Sequence, residues 1–264
     1  MSTKAKFDVM MFNGDEINNN EITTVKENSD ENKFGAVAFF SLEMSSEQLS
    51  TRILAEQSRI KSNDIRRGRI SDEQFDKFIE TSKNISELPL YIDETPAISI
   101  AAMSNRARRI KRLFGLDLIV VDYIQLMRGS GNNRDGRVQE ISEITQGLKA
   151  LAKELNVPVI ALSQLNRAVE TRPNKRPILA DLRDSGAIEQ DADVIAFLYR
   201  HSYYDPTDLE SKGKAEVNIA KQRNGPTKAV PVAFLENTAT FQNLAKNERF
   251  PPQHYDENED PYSS

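Results

Sequence analysis

Three apolar runs in the sequence end abruptly in polar side chains: Phe40-Ser41-Leu42-Glu43, Val121-Asp122 and Leu162-Ser163-Gln164. Two carboxylates and an amide brought to one place could hold a metal ion, orient a water and sense a phosphate. A hard cation such as Mg2+ takes oxygen ligands, commonly one or two carboxylates with substrate phosphates completing its shell. Taken singly, each polar residue could equally start a loop or cap a helix, so the chemistry depends on the three run ends sharing a rim. In an open parallel sheet they would, because ligands bind in the crevice beyond the carboxyl ends of the strands.

The elements that must build such a rim alternate along the chain. Residues 36–41 (AVAFFS) form a short apolar run. Ser45-Ser46-Glu47-Gln48 then has the Ser-x-x-Gln form of a capping box and opens a helix carrying Leu49, Ile53 and Leu54. Ser71-Asp72-Glu73-Gln74 repeats that signature before Phe75, Phe78 and Ile79, and residues 90–92 read as a short strand. Ile100, Met103, Ala107, Ile110 and Phe114 step by three and four, which predicts one apolar helix face ended by Gly115. Residues 116–121 (LDLIVV) follow as a strand. Val138, Ile141, Ile144, Leu148, Leu151 and Leu155 mark the longest helix, closed by Asn156. About two and a half heptads are too few for a coiled-coil seam, so this stripe is expected to pack into the core. Residues 157–162 (VPVIAL) and 194–199 are further buried strands. Unbroken apolar strands alternating with amphipathic helices predict an α/β fold, a mostly parallel sheet with helices on both faces. After Lys214 the pattern changes. Strand-like runs at 215–220 and 228–235 flank Asn224-Gly225-Pro226, with a third candidate at 238–244, which predicts an antiparallel C-terminal edge.

Composition narrows the function classes. The chain has 264 residues, 35 Lys+Arg against 40 Asp+Glu, 38% apolar residues and no cysteine, so a disulfide scaffold, a thiolate metal site and a cysteine nucleophile are excluded. With His201 and His254 as the two histidines, a multi-histidine metal centre is not expected. No run approaches the roughly 18 apolar residues of a membrane span, and no basic-then-apolar N-terminal signal is present, which predicts a cytoplasmic protein with no membrane contact. The net charge of −5 is uneven, since residues 1–35 carry four Lys and seven acids, and residues 247–264 carry Arg249 and five acids. The middle is slightly basic, so the global acidity does not exclude a polyanion partner there. The Asn-rich residues 1–33 are predicted to be poorly structured apart from a possible strand at 7–12. Residues 34–246 form the folded domain, and 247–264, with Pro251, Pro252 and Pro261, a disordered acidic tail.

The wording of the motifs is more specific than their spacing. LIVVDYIQLM at 118–127 has the form of a Walker B strand, buried by its apolar residues and ending in Asp122, which reaches Mg2+ directly or through water. Together with FFSLEMSSEQL at 39–49, VIALSQLNRAVETR at 159–172, LADLRDSGAIEQDADVIAFLYR at 179–200 and KQRNGP at 221–226, it makes the chain resemble the C-terminal RecA-like motor domain of the DnaB-type replicative DNA helicases. Five motifs in the family's order cover about residues 36–245.

The resemblance implies ATP-dependent unwinding of duplex DNA at the replication fork, with ATP and Mg2+ as cofactors. It makes Glu43 the glutamate that polarises the attacking water, Asp122 the Walker B carboxylate on the metal, and Gln164 the γ-phosphate sensor linked to DNA-facing loops. Lys221 and Arg223 correspond to the pair that reaches a neighbouring subunit's triphosphate, Arg223 as the arginine finger, which supplies positive charge where the transition state spreads negative charge. Use in trans implies a ring, a homo-hexamer or one shared with full-length helicase. Arg183, Asp184 and Gly186 match the loop that tracks single-stranded DNA, and the 128–134 stretch, with Arg128 and Arg134, matches a flexible loop also facing the channel. Contacts of this kind hold phosphates and read no base code.

One part of the family pattern does not occur. A phosphate loop needs G-x-x-x-x-G-K-[ST], whose backbone amides cradle phosphates while Lys neutralises them, and none of the 264 residues forms it. The corresponding region reads Phe12-Asn13-Gly14-Asp15-Glu16-Ile17, with Gly14 as a positional remnant and two carboxylates where Lys and a hydroxyl belong. The family's N-terminal collar domain and linker, which serve ring assembly and contacts with primase and loader, also have no counterpart. Three expectations follow: a helicase polypeptide unable to hydrolyse ATP alone, a truncated or frameshifted piece whose first 33 residues are foreign to the fold, or a noncatalytic single-strand-binding or ring-interacting module.

Other charged and aromatic stretches have plainer explanations. Arg106, Arg108, Arg109, Lys111 and Arg112 are expected on a solvated helix face, and Arg66, Arg67 and Arg69 in a turn around Gly68. Tyr199, Tyr203 and Tyr204 could stack on an adenine or simply pack.

Overall fold

Strand and helix punctuation is largely local. The computed structural model describes residues 34–129 and 136–244, with residues 9–13 and 183–185 described by backbone alone. The elements run β1 (Val9–Asn13), β2 (Val37–Ser41), α1 (Ser46–Ser58), α2 (Ser62–Arg66), α3 (Asp72–Ser86), β3 (Leu90–Asp93), α4 (Ile100–Phe114) and β4 (Leu118–Asp122). They continue with α5 (Gly136–Leu155), β5 (Val159–Ser163), α6 (Gly186–Asp191), β6 (Val194–Tyr199), α7 (His201–Tyr204), β7 (Lys214–Gln222), β8 (Lys228–Leu235) and β9 (Thr240–Asn243). Both sequence-read capping boxes form: Ser45 with Gln48 starts α1, and Ser71 with Gln74 starts α3. Gly115 ends α4 at φ 82°, a left-handed value that costs glycine nothing, and Asn156 closes α5 at φ 50°.

The strands form one sheet in the order β3-β2-β4-β5-β1-β6-β7-β8-β9. The block β3-β2-β4-β5 is parallel, and β6 to β9 form the antiparallel edge. The RecA-like α/β architecture therefore holds, with one addition. β1 enters between β5 and β6 and runs antiparallel to both. It realises the strand anticipated near residues 7–12; the rest of the first 33 residues and the acidic tail lie outside the described residues.

The core sits on one face of the parallel block. Ala38 and Phe40 of β2, Ile119 and Val121 of β4, and Val159 and Ala161 of β5 pair in cross-strand rows and are all at most 2% exposed. Met103 and Ala107 of α4, Ile141, Ile144, Leu148 and Leu151 of α5 and Ile188 of α6 join the same cluster, so the α5 stripe is core packing rather than a seam. A Cβ at Gly147 would lie 2.4 Å from Ile100 Cγ1, so glycine lets α5 approach α4 this closely. Two residues depart from the periodicity. Phe114 is 61% exposed and stacks on Tyr91, and Val138 is 57% exposed. Both lie in terminal turns, where no neighbouring element covers the stripe.

Candidate functional site

β2, β4 and β5 end at one rim. Ser41 pairs with Asp122, and Val121 with Ala161, so Ser41, Asp122 and Ser163 finish within one residue step of one another. Neighbouring strands lie about 4.8 Å apart, which puts the three ends across roughly 10 Å. Beyond Ser41 the chain turns sharply, because the Leu42 N–H donates to the Asp122 carbonyl at 2.7 Å and Ser41 Oγ donates to the Met44 carbonyl at 2.8 Å. That bend carries Glu43 out to solvent.

Asp122 is 5% exposed, and its Oδ1 has no hydrogen-bond partner among the described residues. Burial pushes its carboxyl up to about 6; the nearby Glu43 charge adds to this and Arg52 opposes it. Burial first, then Glu43 and Asp122, also raises the Tyr123 phenol. The Asp122–Tyr123 peptide is cis. A buried, unpartnered carboxylate oxygen held beside a second negative charge fits a cation, which would supply the charge that both lack. Among the described residues no three acids or histidines cluster, and Mg2+ needs no such cage where phosphates complete its shell.

The phosphate side does not fit. Val9 pairs with Ser163 at the end of β5, but Asn13 pairs with Val159 at its beginning. The reversed β1 therefore ends at the rim opposite Asp122, and the chain leaves it there toward Gly14, which itself lies outside the described residues. The expectation that Gly14 stands where a phosphate loop would be is corrected by the strand's direction.

Gln164 follows β5 directly and is exposed. Its backbone is fixed by a residue given no role in the sequence, Gln125. Gln125 Nε2 donates to Ser163 Oγ at 2.8 Å and to the Gln164 carbonyl at 3.2 Å, while Oε1 accepts from the Gln164 N–H at 3.2 Å. Arg137, at the start of α5, donates to the Gln125 carbonyl and pairs with Glu140. Glu140 in turn accepts from the Gly129 N–H at 3.1 Å, a bond that with Arg137 holds its carboxyl below the usual range. One polar chain thus ties the ends of the 130–135 stretch to the residue after β5. The signal for it was a lone amide, Gln125, inside the otherwise apolar continuation of the Walker B run.

The DNA-loop candidates are placed in part. Arg128 is exposed, and its N–H donates to the Ile98 carbonyl at 3.1 Å; Arg134 lies outside the described residues. Arg183 and Asp184 end the short helical turn Leu179–Ser185, and Gly186 opens α6. Buried Asp181 anchors that turn, accepting from Ile178 N–H and pairing with Arg172, both at 2.8 Å.

Lys221 and Arg223 lie elsewhere. Gln222 pairs with Val194, the first residue of β6, so Arg223 sits at the opposite rim from Asp122 and four strands away. By strand spacing and rise the two are about 20 Å apart, beyond the reach of a side chain. Lys221 Nζ donates to the Glu189 carbonyl, and Arg223 Nη2 to the Gln190 carbonyl at 2.9 Å, both at the end of α6. Arg223 Nε pairs with Asp193 at 3.3 Å, and Lys149 pairs with the same carboxylate oxygen. Burial and the neighbouring Arg223 charge lower the Lys221 pKa.

The remaining stretches are structural. Arg106 pairs with Asp93 and Arg108 with Glu154, so part of the basic α4 face is spent on ion pairs. Tyr199 is 6% exposed, lies under Arg176 at 4.8 Å and stacks on Tyr204 at 5.9 Å, so it packs rather than awaiting a base.

Residues 17–243 match the family model described as DnaB-like helicase C terminal domain. The chain is 49% identical over 210 residues to the replicative DNA helicase DnaB of Geobacillus stearothermophilus, covering 80% of this chain and 46% of that protein. It is 46% identical over 245 residues to the DnaB of Rickettsia felis, covering 87% and 49%. It thus spans about half the length of these relatives. Among solved structures it is similar to an isolated ATPase domain, with TM-score 0.76, 38% identity and coverage of 80% of this chain and 75% of that one. A DnaB-like replicative helicase solved for its interactions with primase gives TM-score 0.76 and 39% identity, covering 80% and 51%. Among the described residues no helix is long and apolar enough to cross a membrane.

Proposed function

The chain belongs to the DnaB-like helicase C-terminal domain family, and from that premise we propose that it acts as the motor-type subunit of a replicative DNA helicase ring. In that ring it donates its cations to a neighbour's nucleotide and its loops to single-stranded DNA. The observation that carries this is the separation of the two half-sites. Asp122 at one rim and Arg223 at the other cannot meet within one chain, but a head-to-tail interface that closes into a ring brings one subunit's donor rim to the next subunit's acceptor rim.

At the acceptor rim, Asp122 would hold Mg2+, Glu43 would orient the attacking water and Gln164 would sense the γ-phosphate. Mg2+ supplies charge neutralisation to the phosphates when bound. Lys221 and Arg223 would stabilise the charge spread over the neighbour's transferring phosphoryl group. Arg183, Asp184, Gly186, Arg128 and Arg134 would line the channel and bind the DNA backbone without reading sequence. Residues 34–246 form the motor, with residues 1–33 and 247–264 flanking it. Contacts with primase and a helicase loader follow from the family.

The acceptor half lacks a phosphate cradle, so the isolated chain is expected not to turn over ATP. Phosphate release with single-stranded DNA and Mg2+-ATP at about 1 s⁻¹ or faster, the low end of usual enzyme rates, overturns that statement. The donor half needs no cradle of its own. Mixed with full-length G. stearothermophilus DnaB carrying Ala at the arginine aligned with Arg223, the chain is expected to restore ATPase activity; no restoration counts against donation. The missing cradle also favours a second reading, a noncatalytic ring- or DNA-binding module. DNA affinity that falls with salt, without donation, would select it.

A further inference from the structure

Arg223 stands nearly half exposed at a strand end, where a long side chain left to itself would sample many rotamers. It is instead held at both ends of its guanidinium. Nε pairs with Asp193 Oδ1 at 3.3 Å, Nη2 donates to the Gln190 carbonyl at 2.9 Å, and its own N–H donates to the Asp193 carbonyl at 3.0 Å. These contacts do not engage Nη1. Asp193 Oδ1 also pairs with Lys149, whose Nζ donates to the Asp191 carbonyl at 3.1 Å, while Thr145 Oγ1 donates to Asp191 Oδ2 at 2.6 Å. The carboxylate is thereby tied to α5 as well as to β7. It sits among Lys149, Lys221 and Arg223, three cations that would otherwise repel one another.

We infer that Asp193 is the positioning residue for Arg223: it aims the guanidinium outward from the rim with Nη1 leading, and it anchors that aim to α5 through Lys149. The inference rests on the reading of Arg223 as a group donated to a neighbour's phosphates. An arginine with its Nε already paired presents a fixed fork to an incoming phosphoryl oxygen, so less rotamer freedom is lost on contact. Asp193 touches neither nucleotide nor water in this arrangement; it acts through Arg223.

Two measurements decide it. The first needs no helicase partner. In proton–nitrogen correlation spectra of the chain, the Arg Nε–H signal that disappears in Arg223→Lys is expected to move and to exchange faster in Asp193→Asn. An unmoved signal overturns the placement. The second uses the mixture with finger-deficient DnaB. Chain carrying Asp193→Asn is expected to support a kcat about fivefold to tenfold lower than wild type, as expected for one partly exposed charge-assisted contact. The KM for ATP should stay within about twofold, because the group acts on the transition state rather than on uniform binding. Asp193→Glu should recover part of the loss, and an unchanged melting curve excludes simple unfolding. A kcat for Asp193→Asn within twofold of wild type overturns the proposal. If wild-type chain restores nothing, the functional reading fails and this role for Asp193 fails with it, while the spectra still report separately whether Asp193 holds Arg223.

Discussion

The two rims of the sheet are finished in opposite ways. At the rim of Ser41, Asp122 and Ser163, Glu43 and Gln164 extend to solvent, and a buried carboxylate oxygen lacks a partner among the described residues. At the rim of Arg223, Lys149, Lys221 and Arg223 are all engaged by carbonyls or by Asp193. A rim that must receive a cation and phosphates gains by remaining electrostatically unsatisfied, because its partners arrive later. A rim that must deliver charge gains by settling its geometry beforehand. The contrast also separates what this sequence retains from what it lacks: the donor rim is whole, and the acceptor rim is without its phosphate loop.

The strongest way to break that contrast is to substitute one residue on each rim and measure donation. In mixtures with finger-deficient DnaB, Arg223→Ala is expected to lower the restored ATPase rate by about 10³-fold or more, the scale of arginine fingers elsewhere. Glu43→Ala, on the rim that donates nothing, should leave the restored rate within about twofold. Equal losses from both substitutions would mean that the chain's own acceptor rim takes part in turnover.

A smaller effect sharpens the electrostatic half of the comparison. The Asp122 carboxyl is held at about 6 in the folded chain and near 4 in an unfolded one. Between these values the folded state binds more protons than the unfolded state, so stability falls as pH rises through this window and is lowest, for this group, above it. Asp122→Asn removes the ionisation and should stabilise the metal-free chain at pH 7.5 by about 2 kcal/mol, with the gain shrinking to near zero by about pH 4. Denaturant titrations at both pH values test this. A variant no more stable at pH 7.5, or equally more stable at both, would show that burial does not strain this carboxylate.

What could be read from sequence was whatever depends on neighbours along the chain. Ser45 with Gln48 and Ser71 with Gln74 form their caps because three residues of spacing place hydroxyl and amide on the same first turn. The strand ends at Ser41, Asp122 and Ser163 were legible because an apolar run breaking into polar residues marks where burial stops. Direction was not legible: an apolar strand reads alike in either sense, so the reversal of β1 appears only in its pairing with Ser163 and Val159. Nor was cover. Helical spacing put Phe114 and Val138 on apolar faces, but periodicity does not say whether a neighbour reaches the last turn. Asp193 resembled an ordinary residue before a strand, and its partner Arg223 lies thirty positions on, joined to it only by the register of β6 and β7.

Gln125 gives the finest test of the acceptor rim. Its amide makes three contacts, one to Ser163 Oγ and two to the Gln164 backbone, and its own carbonyl accepts from Arg137. Ser163 is fully buried, so Gln125→Ala leaves its hydroxyl without this donor, whereas the Gln164 backbone can turn to water. The strand should hold while the residue after it loosens. Loss of one neutral hydrogen bond is worth about 1 kcal/mol, which speeds local opening by roughly fivefold to tenfold. Native-state hydrogen exchange should therefore show the Gln164 amide accelerated by about that factor, with Val159 and Ala161 unchanged. Acceleration spread along the whole of β5 would make Gln125 a residue of the core rather than a brace for the rim. No acceleration would mean that Gln164 is positioned by the strand alone, and the link from the 130–135 stretch would then stop at Arg137.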